Sequence, residues 1–448
     1  MSEEVAVAPR AELGTEATEL LQRLIRIDTS NPPGNEGPAQ ETLRELLSGA
    51  GFECELAARD PERPNLVARL RGESPGPTLC LLGHVDTVPA DASEWTHEPW
   101  SGDVAGDELW GRGALDMKDQ VAAEVAAAAA LGRDGWRPPR GDLLIITTAD
   151  EEATGGYGAR WLCEERPELV RADMVVNEGA GVAIEVDGRR FYTMSVGEKG
   201  PARFHLRTRG VTGHASLPWI GDNALLKMAP LLERLAESQP PARATPEAAA
   251  FLSAVLEEDL EGADADALGS ALERLRGLAP AAAAFLAQPM LGITLTPTRI
   301  RASEKDNVIP SLCEVLVDCR VPPGVSEQEA RDAVAELIGE GDWELELVEG
   351  AVGNRSPMDG PLADAISGWV EENDPGAQIA PTVMAGFSDS HWFRRAFDSV
   401  TVYGFCPHRA MELDEIVPLV HSADERIAVA DLELATRFFF DLPQRVLR

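Results

Sequence analysis

Three apolar runs in this chain each stop abruptly at polar groups, and that pattern limits the fold more than any other feature. Leu79-Cys80-Leu81-Leu82 runs into Gly83-His84-Val85-Asp86. Ile145-Ile146-Thr147-Thr148 runs into Ala149-Asp150-Glu151-Glu152, and Met174-Val175-Val176 into Asn177-Glu178. Short unbroken apolar runs read as buried strands, and the segments around them (residues 15–27, about 37–49, 116–131 and 158–165) have helical spacing or Ala-rich helical composition. Residues 65–70 add a further strand. Strands alternating with helices imply an α/β layer with a largely parallel central sheet and flanking helices. Sites in such sheets form beyond the carboxyl ends of the strands. His84, Glu151, Glu152 and Glu178 are therefore expected to meet at one edge.

The style changes near residue 197. Strands are expected at 202–209, 293–300, 312–317 and 343–348, with helices at about 223–236 and 326–337. This is the order of a ferredoxin-like split βαβ unit, once an Ala-, Glu- and Leu-rich helical insertion at about 238–290 is set aside. After residue 352 the α/β style returns, with a strand at 399–405 and a final helix at about 423–440. The organisation expected is a catalytic domain in two parts, 1–196 and 351–448, interrupted by an inserted α+β lid or dimerisation domain at 197–350. The edge strand of the insert is free to pair with a second copy, so a homodimer is expected.

Composition narrows the function classes. The chain of 448 residues carries a formal net charge of −36, the opposite of the basic footprint that binds a phosphate backbone, so no nucleic-acid partner is expected. The acidity fits solubility or adaptation to salt. No apolar run approaches the roughly 20 residues that span a bilayer, and the acidic start Met1-Ser2-Glu3-Glu4 does not resemble a signal peptide, which points to the cytosol. Six scattered cysteines contain no CxxC pair, so neither a disulfide framework nor a zinc–thiolate motif is expected.

Histidine and carboxylate together suit zinc, and a catalytic zinc keeps one position open for water. Two metals need a shared carboxylate with balanced ligands on each side, and a further carboxylate must take a proton from the water.

Gly83-His84-Val85-Asp86-Thr87-Val88-Pro89, Trp110-Gly111-Arg112-Gly113-Ala114-Leu115-Asp116-Met117-Lys118 and Asp150-Glu151-Glu152-Ala153-Thr154-Gly155-Gly156 resemble the motifs of the M20 metallopeptidase family. The likeness continues through Gly213-His214-Ala215-Ser216, Asn307-Val308-Ile309-Pro310, Asp318-Cys319-Arg320-Val321 and Ser388-Asp389. It implies two zinc ions per chain, replaceable by Co²⁺ or Mn²⁺. Asp116 would bridge them, His84 and Glu178 would complete one, and Glu152 and His421 the other. Glu151 would be the general base, and Asp86 would orient the His84 imidazole. His214 would stabilise an oxyanion, across a dimer interface. Asn307 and Arg320 would handle a substrate carboxylate. The Asp116–Met117 peptide is expected to be cis. Gly179 stands where the family often has proline. The implied reaction is hydrolysis of an amide bond in an N-acyl amino acid or small peptide. The alternatives are a non-catalytic metal- or ligand-binding relative and, among enzymes, a dipeptidase or carboxypeptidase in place of a deacylase.

Overall fold

The computed structural model describes residues 10–448. The chain forms two compact units. One comprises the chain up to Val196 with Ser356–Thr382 and Ser388–Arg448, and the other comprises Gly197–Arg355 with Val383–Phe387.

The first unit is a mixed sheet sandwiched by helices. Its strands lie in the order Glu53–Ala57, Asn65–Arg71, Asp142–Thr148, Thr78–His84, Met174–Asn177, Thr401–Gly404, Arg189–Glu198. The central pairs are parallel: His84 lies opposite Thr148, Leu81 opposite Val176, and Gly404 opposite Asn177. Antiparallel strands flank this parallel centre on both sides. The parallel register is what matters for function, because it delivers three carboxyl ends to one edge. Leu79, Leu81, Leu143, Ile145 and Val176 are fully buried.

The helix Lys118–Arg133 is buried along its whole face from Lys118 to Leu131, as an Ala-rich helix packed on all sides must be. It contacts the helices Arg10–Ile25, Gly37–Gly49 and Val429–Val446. It approaches the sheet closely at Gly83, where an added Cβ would lie 2.7 Å from Val121 Cγ2. Its buried polar groups need partners. Lys118 Nζ donates to the carbonyls of Leu24 (3.0 Å) and Ile27 (2.9 Å), and Gln120 donates to Glu124 (2.8 Å).

The second unit carries a four-stranded antiparallel sheet in the order Thr294–Arg301, Leu312–Val321, Gly200–Arg209, Trp343–Gly350. The helices Ala224–Glu237 and Glu327–Ile338 cover one face through Met228, Leu231, Val334 and Ile338, which meet Phe204, Leu206, Val315 and Val317. Ser326 and Glu329 start the second helix with a capping box. In sequence, the stretch between Ala224–Glu237 and the strand Thr294–Arg301 includes the helices Pro246–Leu256 and Ala265–Leu278.

The final helix departs from the sequence expectation. It spans Val429–Val446, while Arg426–Ala428 is a short strand paired with Glu108–Trp110. Residues 421–424 form a loop in which His421 and Asp424 have left-handed backbone angles (φ 61° and 60°). All six cysteines are free thiols. Among the described residues, no helix is long and apolar enough to cross a membrane.

Burial pushes the Glu124 carboxyl up to about 8 from an ordinary 4.5. Between those values the folded chain keeps a proton that the unfolded chain has lost. Stability is therefore fullest below about 4.5 and falls as pH rises toward 8. Glu124→Gln removes this dependence. Its denaturation midpoint should gain on the wild type from about pH 5 to about pH 8; parallel pH profiles for the two proteins contradict the assignment.

Candidate metal centre

His84 closes its strand with its ring 1 % exposed. Its Nδ1 lies 2.9 Å from the carbonyl oxygen of Asp86, which can only accept, so Nδ1 donates to it and Nε2 faces the site. Nε2 is 3.1 Å from Asp116 Oδ1, 3.7 Å from Glu178 Oε1 and 4.0 Å from Glu151 Oε2. On the other side of Asp116, His421 Nε2 is 3.0 Å from Asp116 Oδ2 and 3.1 Å from Glu152 Oε2. Two three-residue groups result, His84–Asp116–Glu178 and Asp116–Glu152–His421, and they share Asp116.

The backbone is shaped to make this possible. The Asp116–Met117 peptide is cis, as the family likeness implies. Asp150 and Thr154, on either side of Glu151–Ala153, are left-handed (φ 67° and 77°). Left-handed non-glycine residues are uncommon and gather at functional sites. Gly179, after Glu178, has φ 104°. Proline, fixed near −65°, cannot adopt that angle, which accounts for the departure from the family pattern.

Asp86 lies beside the ring it is expected to orient and does a second job as well. Its carboxylate is 3.5 Å from His84 Nδ1, and its carbonyl is closer still at 2.9 Å. Its carboxylate oxygens also accept from the backbone N–H groups of Glu151 (3.1 Å) and Glu152 (3.2 Å) and from Asn31 Nδ2 (2.9 Å). Asp86 thus fixes the turn that presents both glutamates. Asn31 also donates to Asp150 (3.0 Å), which Arg63 holds in turn.

The charges are mutually dependent. Burial pushes Glu151 and Glu178 well up, and repulsion from neighbouring acids adds to it. Burial also raises Glu152, against the bond from His421. Burial would raise Asp116 too, yet the bonds from His421 and His84 hold it well below the carboxylate range. The Asp116 and Glu152 bonds push His421 up to about 10. Glu152 Oε1 is buried without a hydrogen-bond partner. Imidazole nitrogens, converging carboxylates and an unbonded buried oxygen make a donor set that fits divalent metal ions.

Sequence reasoning missed Glu425. Its buried carboxylate accepts from the backbone N–H groups of Leu115 (2.7 Å) and Asp116 (3.0 Å) through one oxygen. The other accepts from Gly113 N–H (3.1 Å) and Arg112 (2.6 Å). Four residues after His421, it ties that loop to the loop bearing Asp116. In sequence it falls within the final helix expected at about 423–440, with no local sign of its distant partners.

The other expected residues lie in the second unit. His214 is exposed and pairs with Val308, beside Asn307, whose carbonyl accepts from Ala215. The N–H of Ser216 donates to His214 Nδ1 (3.2 Å), so in the neutral ring Nε2 carries the proton. Arg320 is bonded to Asp318 (2.7 Å), which also accepts from Arg203 (3.0 Å).

Residues 80–445 match the description Peptidase family M20/M25/M40. The chain belongs to this M20 family. An M20 relative, succinyl-diaminopimelate desuccinylase of Cereibacter sphaeroides, is 28% identical over 427 residues, covering 92% of this chain and 93% of the relative. Two M20 structures share the fold. An M20 metallo-carboxypeptidase from Sulfolobus solfataricus has TM-score 0.71 at 16% identity, covering 96% of this chain and 99% of its own. A Bacillus subtilis protein described as a dinuclear metal-binding M20 peptidase has TM-score 0.61 at 15% identity, covering 98% and 99%.

Glu425→Gln leaves one acceptor oxygen where two serve four donors. It should weaken metal retention by about 10–100-fold in a chelator competition. Retention equal to the wild type would show that the Asp116 loop holds its shape without this carboxylate.

Proposed function

We propose that this M20 hydrolase is a di-zinc amidohydrolase that removes the acyl group from an N-acyl amino acid. One observation carries the reading: the two oxygens of Asp116 reach two different histidines, His84 at 3.1 Å and His421 at 3.0 Å. A carboxylate shared this way between two donor groups is what a dinuclear centre needs. Its ligands would be His84 and Glu178 with Asp116 on one side, and Glu152 and His421 with Asp116 on the other. The Bacillus subtilis relative described as dinuclear supports that count.

Bound metals supply a polarised amide carbonyl and a water of lowered pKa. The rest falls to the protein. Glu151 takes the proton of the attacking water at a carboxylate oxygen and passes it to the leaving amine nitrogen. Asp86 and Asn31 keep Glu151 and Glu152 pointing to different tasks. His214, with its Nε2 proton outward, is the donor for the developing oxyanion. Asn307 lies beside it for the substrate carboxylate, and Arg320 joins only by exchanging its bond to Asp318. The second unit serves as lid and dimer contact. Trp219 (77% exposed), Leu226 (69%) and Val211 (59%) give it an apolar surface of the kind that marks an interaction site. A partner chain is the source of the His214 that completes each site.

The desuccinylase relatives favour an N-succinyl or similar N-acyl substrate. The carboxypeptidase neighbour favours a second reading, exopeptidase action on a small peptide. A non-catalytic binder would have no use for Glu151 beside a ligand. A panel of N-succinyl amino acids, N-acetyl amino acids and dipeptides separates these, with N-acyl substrates turned over fastest. On the best substrate, Glu151→Gln should lose about 10²–10⁴-fold in rate while keeping its metals. Glu152→Gln should lose metal first and depend on added zinc. Near-normal turnover by Glu151→Gln at saturating metal and substrate sinks the base assignment. Dipeptides outpacing every N-acyl substrate sinks the deacylase reading.

A further inference from the structure

A second group of metal-competent side chains lies in the first unit, and the reaction above does not use it. Asp119, in the first turn of the Lys118–Arg133 helix, meets Cys406 and His408, which follow the Thr401–Gly404 strand. All three are buried, at 2%, 5% and 7% exposure. One ligand atom from each lies within 4.8 Å of the others. Asp119 Oδ1 and His408 Nδ1 have no hydrogen-bond partner.

Buried polar atoms are nearly always bonded, so two orphans on the side chains of one cluster need a reason. A mutual hydrogen bond is not it: His408 Nε2 is 3.9 Å from Asp119 Oδ2, too far. Asp431 does not supply it either. It lies 4.0 Å from His408 Nδ1, and its oxygens already accept from the N–H groups of Arg409, Ala410 and Met411. Two ligands on a tetrahedral zinc, with bonds of about 2.0–2.3 Å, stand about 3.5 Å apart.

We propose that Asp119, Cys406 and His408 form a third metal site, separate from the Asp116 pair, that takes one divalent cation of zinc-like character. The donor set fits in kind and in charge. Thiolate and imidazole select zinc and its borderline neighbours. Thiolate, carboxylate and neutral imidazole together balance a 2+ ion, and a neutral assembly is what a fully buried place tolerates. On binding, the Cys406 thiol proton, and the Asp119 proton where the carboxyl holds one, leave to solvent. Burial holds both groups well above their ordinary values, so affinity rises with pH.

The ion acts as a clamp. Asp119 is three residues beyond Asp116. The N–H groups of Phe405, Cys406 and His408 donate to the carbonyls of Asn177 (2.8 Å), Ala180 (2.9 Å) and Gly181 (3.1 Å), along the loop that carries Glu178. An ion joining the two segments braces two ligands of the Asp116 centre from outside it.

The test is cobalt titration of the full chain after chelator stripping, with stoichiometry by dialysis and near-ultraviolet spectra. The Asp116 centre contains no sulfur, so a thiolate-to-cobalt charge-transfer band reports on this site alone. We expect three equivalents per chain, with a band that saturates with one of them. Cys406→Ser should abolish the band and that equivalent and keep two. If the serine variant does not fold, His408→Gln, which keeps the thiol, should lose the same equivalent. A wild type that binds cobalt with no charge-transfer band overturns the proposal, and so does a band that survives Cys406→Ser. A band with one equivalent only supports this site and counts against the dinuclear reading instead.

Discussion

The shared carboxylate of Asp116 is the constraint on which the rest of the site depends. Each oxygen must face a different histidine, so the backbone carrying it has to be fixed on both sides. Glu425 does this by accepting four donors, two of them the N–H groups of Leu115 and Asp116. Buried carboxylates that accept several backbone bonds are strong anchors, because losing one leaves orphaned donors at about 1–3 kcal/mol each. The same residue lies four positions beyond His421, so the two sides of the centre are set by one side chain.

Electrostatics explains why the arrangement calls for cations. Two unit charges 4 Å apart at an effective dielectric near 20 interact by about 4 kcal/mol. Glu151, Glu152, Glu178, Asp116 and the buried Asp389, which accepts from Thr148 at 2.6 Å, gather at one strand edge. No arrangement of two histidines alone offsets that many like charges. On the proposed reading, divalent ions at the shared carboxylate would turn the repulsion into ligation and would leave Glu151 as the group free to move a proton.

Much of this was legible in the sequence because it rests on local signals. The three apolar runs set parallel strands, and a parallel register sends His84, Glu151, Glu152 and Glu178 to the same edge. The split βαβ order of the second unit was legible for the same reason, since its strands alternate and its helices are periodic. What escaped depends on distant partners. The final helix is expected from about residue 423, but Glu425 is drawn to the Asp116 loop and Arg426 pairs with Trp110, so the helix starts only at Val429. Asn31 stands before Pro32 and Pro33 with no local sign of a role in the site, and only the fold shows it bridging Asp86 and Asp150. Asp86, read as the imidazole's partner, also holds the glutamate turn, a role that only the fold shows.

The claim that Asp116 is shared by two metals is tested most directly by zinc-edge anomalous diffraction from crystals of the zinc-loaded protein. The account predicts two peaks about 3.5–4 Å apart on either side of Asp116, one against His84 and Glu178 and the other against Glu152 and His421. A single peak at Asp116 in fully active, zinc-saturated protein, or two peaks of which only one touches this carboxylate, would contradict it.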